Sequence, residues 1–120
     1  MPESVYAATV ALAGNPNVGK STVFNALTHL HQHTGNWTGK TITCTSGTVR
    51  WEKQDICLVD LPGTYALQSH VAEEKITREF LQSNTADCII VVVDATCLER
   101  NLIFVLQVLS ITHRVVLCLN

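Results

Sequence analysis

Residues Gly14 to Ser21 read Gly-Asn-Pro-Asn-Val-Gly-Lys-Ser, a complete G-x-x-x-x-G-K-[ST] octet. Such an octet needs a strand before it and a helix after it. Val5 to Ala13 is apolar and rich in β-branched residues, and Val23, Phe24, Ala26, Leu27 and Leu30 fall at helical spacing, so strand, loop and helix follow in the required order. The chemistry of the octet is phosphate binding. Gly14 and Gly19 let the backbone turn with its N–H groups inward, Lys20 brings a point charge to the β- and γ-phosphates, and the Ser21 hydroxyl suits Mg²⁺. A chance Gly-rich turn ahead of a lysine would lack these flanks.

Bulk properties narrow the class. A chain of 120 residues is one domain, able to bury about two-thirds of its unfolded surface. The net charge of −2 comes without any cluster of Lys and Arg, which removes the electrostatic footprint of a nucleic-acid binder. Cys44, Cys57, Cys88, Cys97 and Cys118 are scattered, with no C-x-x-C pair, and are expected to be buried free thiols in a reducing compartment. The opening Met-Pro-Glu-Ser is no secretory signal. Leu102 to Leu119 is mostly apolar, but Gln107, Ser110, Thr112, His113 and Arg114 interrupt it, so a helix and then a strand fit better than a membrane span.

The expected order is strand (5–13), loop, helix (20–30), polar segment (31–40), strands (41–51 and 54–59), loop, helix (73–83), strand (88–93), helix (98–111) and strand (114–119). This alternation is α/β. Ile56–Val59, Cys88–Val93 and Val115–Leu119 are continuously apolar, as parallel strands covered by helices on both faces should be. Only 41–51 and 54–59, linked around Lys53, are close enough for an antiparallel hairpin. An open, mostly parallel sheet binds its ligand at the carboxyl ends of its strands, where the octet lies.

Asp60-Leu61-Pro62-Gly63 closes the 54–59 strand. A carboxylate there fits a Walker-B-type Asp that holds Mg²⁺, and the Gly63 N–H can approach a γ-phosphate. A Pro-Gly turn capped by Asp is the plainer reading, but it leaves the position beside the phosphate loop unexplained. Between the first helix and the hairpin, Thr34, Thr38, Thr41, Thr43 and Thr45 are all candidates for the hydroxyl that completes a Mg²⁺ shell, and spacing does not choose among them.

Four segments carry a resemblance: 14–21, Gly-Asn-Trp-Thr-Gly-Lys-Thr at 35–41, Val-Asp-Leu-Pro-Gly-Thr-Tyr-Ala-Leu at 59–67, and Val-Val-Asp-Ala-Thr-Cys-Leu-Glu-Arg-Asn-Leu at 92–102. Together they span almost the whole chain, which resembles the cytosolic G domain of the bacterial ferrous-iron transport protein B family, a GTPase fused to a membrane permease. The resemblance implies a Ras-like P-loop NTPase fold: α/β, a mostly parallel sheet with one antiparallel strand, and helices on both faces. It implies GTP and GDP as ligands and GTP hydrolysis coupled to ferrous-iron uptake at the cytoplasmic face of the bacterial inner membrane. The permease part of the intact protein is an implied partner, as is a further copy joined through the G domain.

For the site, the resemblance implies nucleotide contacts from Gly14, Asn15, Pro16, Asn17, Val18, Gly19, Lys20, Ser21, Thr22, Gly39, Lys40, Thr41, Asp60, Gly63 and Asn120. Ser21, Thr41 and Asp60 would hold Mg²⁺, and Lys20, Thr41 and Gly63 would serve catalysis. Asn15, with backbone around Gly35 to Trp37, would take an activating K⁺. Thr64 stands where Ras-like proteins keep a catalytic Gln. The family reads guanine through Asn-Lys-x-Asp, and Asn120, the last residue here, is the apparent first residue of that motif; residues 1–120 are therefore expected to be a partial G domain. Its rivals are a weak phosphate-binding module with little turnover, and a related GTPase with a ribosomal or tRNA role.

Other groups have plainer explanations. His29, His31 and His33 alternate without a nearby carboxylate or Cys, which suits solvated residues better than a metal site. Glu74, Lys75, Arg78 and Glu79 read as a solvated helix face. Asp94, Glu99 and Arg100 read as caps and charges at a helix start. Trp37, in a polar loop, is expected to gate or to contact a partner.

Overall fold

A computed structural model describes residues 6–29, 32–36, 43–67 and 71–120, with 32–36, 43 and 44 described as backbone only. The elements are β1 (Ala8–Gly14), α1 (Lys20–Thr28), β2 (Gln32–Asn36), β3 (Thr43–Trp51), β4 (Gln54–Asp60), α2 (Ala72–Gln82), β5 (Cys88–Val93), a 3-10 turn (Ala95–Cys97), α3 (Leu98–Leu109) and β6 (Val115–Leu119). They form a six-stranded sheet in the order β2-β3-β4-β1-β5-β6. β1 runs parallel to β4 and β5, and β5 to β6, whereas β3 is antiparallel to both β2 and β4. β3 is thus the strand that runs against the rest, in line with the expected α/β architecture.

The central strands are apolar throughout because each feeds two cores. Ala11 and Ala13 of β1, with Val91 and Val93 of β5, pack beneath α2 and α3 around Phe80, Phe104, Val105 and Val108. The intervening Leu12 and Val92 turn the other way, onto Val18 and Phe24 of the loop and α1. Successive side chains of a strand point to opposite faces, so a strand covered on both sides has no room for polar alternation.

The differences from expectation have local causes. The polar 31–40 segment holds β2, whose Gln32–Asn36 pair with Thr43–Gly47 of β3; an edge ladder is built from backbone groups and needs no apolar face. α1 stops at Thr28 because His29 turns left-handed at φ 52. Of its expected apolar face, Phe24 is buried while Ala26 and Leu27 are exposed. β6 is an edge strand among the described residues, with Val116, Leu117 and Leu119 exposed rather than covered. Cys57 is buried and Cys88 half-buried, both with thiols pushed up by burial, but Cys97 is exposed, against the expectation of buried thiols throughout.

The β3–β4 hairpin turns through Glu52 and Lys53, at φ 49 and 67, between the paired Trp51 and Gln54. Two left-handed central residues match the right-handed twist of the flanking strands, but side chains with a Cβ resist that conformation. Replacing the pair by Asn-Gly, as Glu52→Asn with Lys53→Gly, is expected to stabilise the domain by about 1 kcal/mol in urea unfolding, because the turn is kept and its strain removed.

Candidate functional site

Because β1, β4, β5 and β6 are parallel, their carboxyl ends share one edge of the sheet, where ligands of open α/β folds bind. Gly14, Asp60, Asp94 and Asn120 all leave the sheet there. β3 runs the other way and starts at the same edge, its Thr45 paired with Asp60. The chain leaves β2 at Asn36 and re-enters β3 at Thr43, which face each other at the end of that ladder. Residues 37–42, with Trp37, Gly39, Lys40 and Thr41, lie outside the described residues. Gly35 is a ladder residue of β2 opposite Cys44.

The Gly14–Gly19 loop is shaped by contacts that exclude side chains. A Cβ on Gly14 would lie 2.7 Å from the Val92 carbonyl oxygen, so β1 meets β5 backbone to backbone just as the loop begins. Gly19 sits at φ 90, and a Cβ there would strike the Asn120 carboxamide at 2.1 Å. Asn17 is left-handed at φ 66 and exposed. α1 begins at Lys20 without a side-chain cap or an acidic residue in its first turn. Its first amides and the positive end of its dipole are therefore open to an anion.

Lys20 and Asp60 form an ion pair through Nζ and Oδ1, with both side chains mostly sheltered. Ser21 and Thr22 are exposed in the first turn of α1. An ammonium and a carboxylate thus meet at the end of the loop, and the hydroxyl of the residue after Lys20 is exposed in the same helical turn. The carboxylate and hydroxyl are hard oxygen donors suited to Mg²⁺.

The 61–67 segment is stitched to this loop. Leu61 N–H donates to the Leu12 carbonyl (3.0 Å) and Thr64 N–H to the Gly14 carbonyl (3.1 Å). Gly63 packs on Pro16, where an added Cβ would come within 3.2 Å of Cα. The far end is clamped: Leu67 N–H donates to Gln107 Oε1 (2.6 Å) and Arg78 donates to the Leu67 carbonyl (2.7 Å). Arg78 therefore does more than solvate a helix face, and no charge spacing within α2 could have told that. Gln107 carried no signal either.

Asn120 adds a second tether. Its side chain donates to the Val18 carbonyl (2.9 Å), while its own N–H and C=O bond Val93 and Ala95. It holds the phosphate loop by the backbone, a role that reading it only as the start of a guanine motif did not disclose. Asn15 is 3% exposed, and neither its Oδ1 nor its Nδ2 has a partner among the described residues. Its carboxamide is thus enclosed rather than presented at the open edge, which the exposed Asn17 can reach.

Asp94 caps the 3-10 turn as expected. The Thr96 hydroxyl and N–H both donate to it and hold its carboxyl below the usual range, and Asp94 N–H is in turn accepted by Asn101 (2.8 Å). Of the three histidines, His29 ends α1, His33 is a backbone position of β2, and His31 lies outside the described residues. Among the described residues no group of three or more His, Cys, Asp or Glu could hold a metal ion.

Residues 8–120 match the family model described as ferrous iron transport protein B. The chain is 46% identical over 111 residues to the Fe(2+) transporter FeoB of Campylobacter jejuni, covering 92% of this chain and 18% of that protein. It is 44% identical to its Helicobacter pylori counterpart, covering 93% and 17%. Among solved structures, the G domain of the T. maritima FeoB iron transporter superposes with a TM-score of 0.86 at 41% identity, over 93% of this chain and 70% of that one. A GDP-bound mutant of S. thermophilus NFeoB gives 0.84 at 43%, over 94% and 44%. The chain thus spans less than a fifth of the length of these curated relatives, and its fold is that of a Ras-like P-loop NTPase. With its glycine-shaped phosphate loop and its Asp60 at the adjoining strand end, the chain belongs to the ferrous iron transport protein B family, whose G domain is a GTPase domain.

Proposed function

We propose that this chain is the nucleotide-binding part of a G domain that binds and hydrolyses GTP and is coupled, in a longer protein, to ferrous-iron passage across the inner membrane. One observation carries the reading: Lys20 and Asp60 pair at the end of a loop whose Gly14 and Gly19 leave no room for a side chain, with Ser21 exposed in the helical turn that follows. No helix among the described residues is long and apolar enough to cross a membrane. Iron translocation therefore falls to a permease portion of the intact protein, with this domain on its cytoplasmic face and a second copy able to join through the G domain.

Each residue has a job in phosphoryl transfer to water, where positioning and charge stabilisation supply most of the catalysis. Loop amides from Asn15 to Ser21 and the start of α1 surround the phosphates, with Thr22 in the same turn. Lys20 neutralises charge on the β- and γ-phosphates. Ser21 and Asp60 would hold Mg²⁺, which when bound neutralises charge across the same oxygens. Thr41, with Gly39 and Lys40, belongs to the segment that re-enters at Thr43 beside the Asp60 strand, within reach of that shell. Gly63 N–H donates towards the γ-phosphate. Guanine selection would begin at Asn120.

The expected monovalent cation fits Asn17 better than Asn15. Potassium accepts carbonyl-type oxygens at an open edge, and Asn17 is exposed there on a left-handed turn, whereas Asn15 is enclosed. The backbone near Gly35 and Trp37 would complete that site. A phosphate-binding module without turnover is the competing outcome.

Three measurements check this. Lys20→Ala should weaken binding of a fluorescent Mg·GTP analogue by about 10- to 100-fold, the worth of a charge-assisted contact; equal affinity of variant and parent would sink the assignment. Ser21→Ala and Asp60→Asn should give losses that shrink as Mg²⁺ is raised, so a Mg²⁺-independent defect counts against their metal role. GTP turnover in KCl should exceed that in NaCl at matched ionic strength, and Asn17→Ala should abolish the difference while Asn15→Ala keeps it. Identical rates in the two salts remove the cation from the reading.

A further inference from the structure

Two complementary polar side chains leave the junction between the phosphate loop and the 61–67 segment, and neither is bonded among the described residues. Thr64 N–H donates to the carbonyl of the peptide that joins Gly14 to Asn15, so Thr64 and Asn15 flank a single backbone hydrogen bond. Thr64 is 4% exposed and Asn15 3%, and the hydroxyl, the carboxamide oxygen and the carboxamide nitrogen are all without partners among the described residues. A hydroxyl and a carboxamide can each donate and accept. Buried polar groups are nearly always paired, and an unpaired one penalises the state that contains it.

We infer that Thr64 is a positioning residue which, through Asn15, couples the phosphate loop to the 61–67 segment and favours bound nucleoside triphosphate over diphosphate. The inference rests on the phosphate-loop reading above. Thr64 follows Gly63, whose N–H would meet a γ-phosphate on that reading, so a movement of Gly63 would carry Thr64 with it. The segment is fixed at Leu61 by Leu12, at Thr64 by its own N–H on the Gly14 carbonyl, and at Leu67 by Gln107 and Arg78, which confines such a shift to a small reorientation of Gly63 and the Thr64 side chain about that central bond. A small shift there lets the orphaned hydroxyl and carboxamide meet. A diphosphate offers Gly63 nothing, so only the triphosphate gains that bond, and a ligand biases two states only by what it contacts differently in each. Thr64 is enclosed, so it acts through Asn15 rather than on the attacking water.

The test uses the full chain and fluorescent Mg·GDP and Mg·GTPγS. Thr64→Val keeps the shape and removes the hydroxyl. It should leave GDP affinity within about twofold and weaken GTPγS by about three- to tenfold, the worth of one hydrogen bond. Thr64→Ser should restore the parent ratio, and in an Asn15→Ala background Thr64→Val should change the ratio no further. Without nucleotide, Thr64→Val should melt no lower than the parent, because the lost hydroxyl is unpaired. An unchanged ratio in Thr64→Val, equal losses for both nucleotides, a Ser variant that behaves like Val, or a lowered melting temperature each overturns the inference while the nucleotide reading stands. Failure of the parent to bind either nucleotide overturns both.

Discussion

The ion pair between Lys20 and Asp60 joins residues 40 positions apart and exists because β1 and β4 are neighbours in parallel register. Leu12 lies opposite Asp60 in that ladder, so the strand that feeds the phosphate loop and the strand that delivers the carboxylate end together. A slip of one residue would turn Leu12 from the α1 core to the opposite face and break the alternation that fills both cores. Register is therefore fixed by burial, and the site inherits its geometry from it. The chemistry sits on loops, but their end points belong to the most buried strands of the molecule.

The same logic explains how the loops are held. Gly14 takes no side chain because β5 passes at backbone contact, and Asn120, from β6 beyond β5, reaches Val18 to pin the loop's other end. The segment after Asp60 is tied to β1 at its start and to α2 and α3 at its end. Between those ties lie Gly63 and Thr64. The middle is held more lightly, by the Thr64 N–H on the Gly14 carbonyl and the contact of Gly63 with Pro16, so the centre of the segment is referred to the phosphate loop itself.

Much of this was legible in the sequence, for reasons that can be named. The octet dictates strand, loop and helix because each of its positions has a backbone or charge requirement, and the unbroken apolar runs at 56–59 and 88–93 announce strands covered on both faces. The place of Asp60 was legible because it closes the apolar run at 56–59, and that run ends beside the strand that feeds the loop. What escaped was set by partners distant in sequence. β2 is polar and draws its order from β3, Arg78 looks like a surface charge until Leu67 is placed beside it, and Asn120 shows its hold on Val18 only once β6 is seen next to β5. Asn15 and Asn17 are two residues apart in one motif, and only the left-handed turn at Asn17 separates the enclosed one from the exposed one.

Charge balance then links the parts of the site. Lys20 and Asp60 satisfy each other in a sheltered setting, where removing one partner of a pair costs more than the pair contributes. Phosphate oxygens that draw Lys20 away leave Asp60 facing a second anion, and like charges at such range repel strongly once water is excluded. Asp60 would then need another cation, and Ser21, exposed in the first turn of α1, would offer a neutral oxygen for it. On the proposed reading, a nucleotide bringing Mg²⁺ would meet both demands at once, whereas a bare nucleotide would meet only that of Lys20. The pairing of Lys20 with Asp60 is therefore the feature from which a metal dependence of binding would follow, before any contact with the base or the ribose.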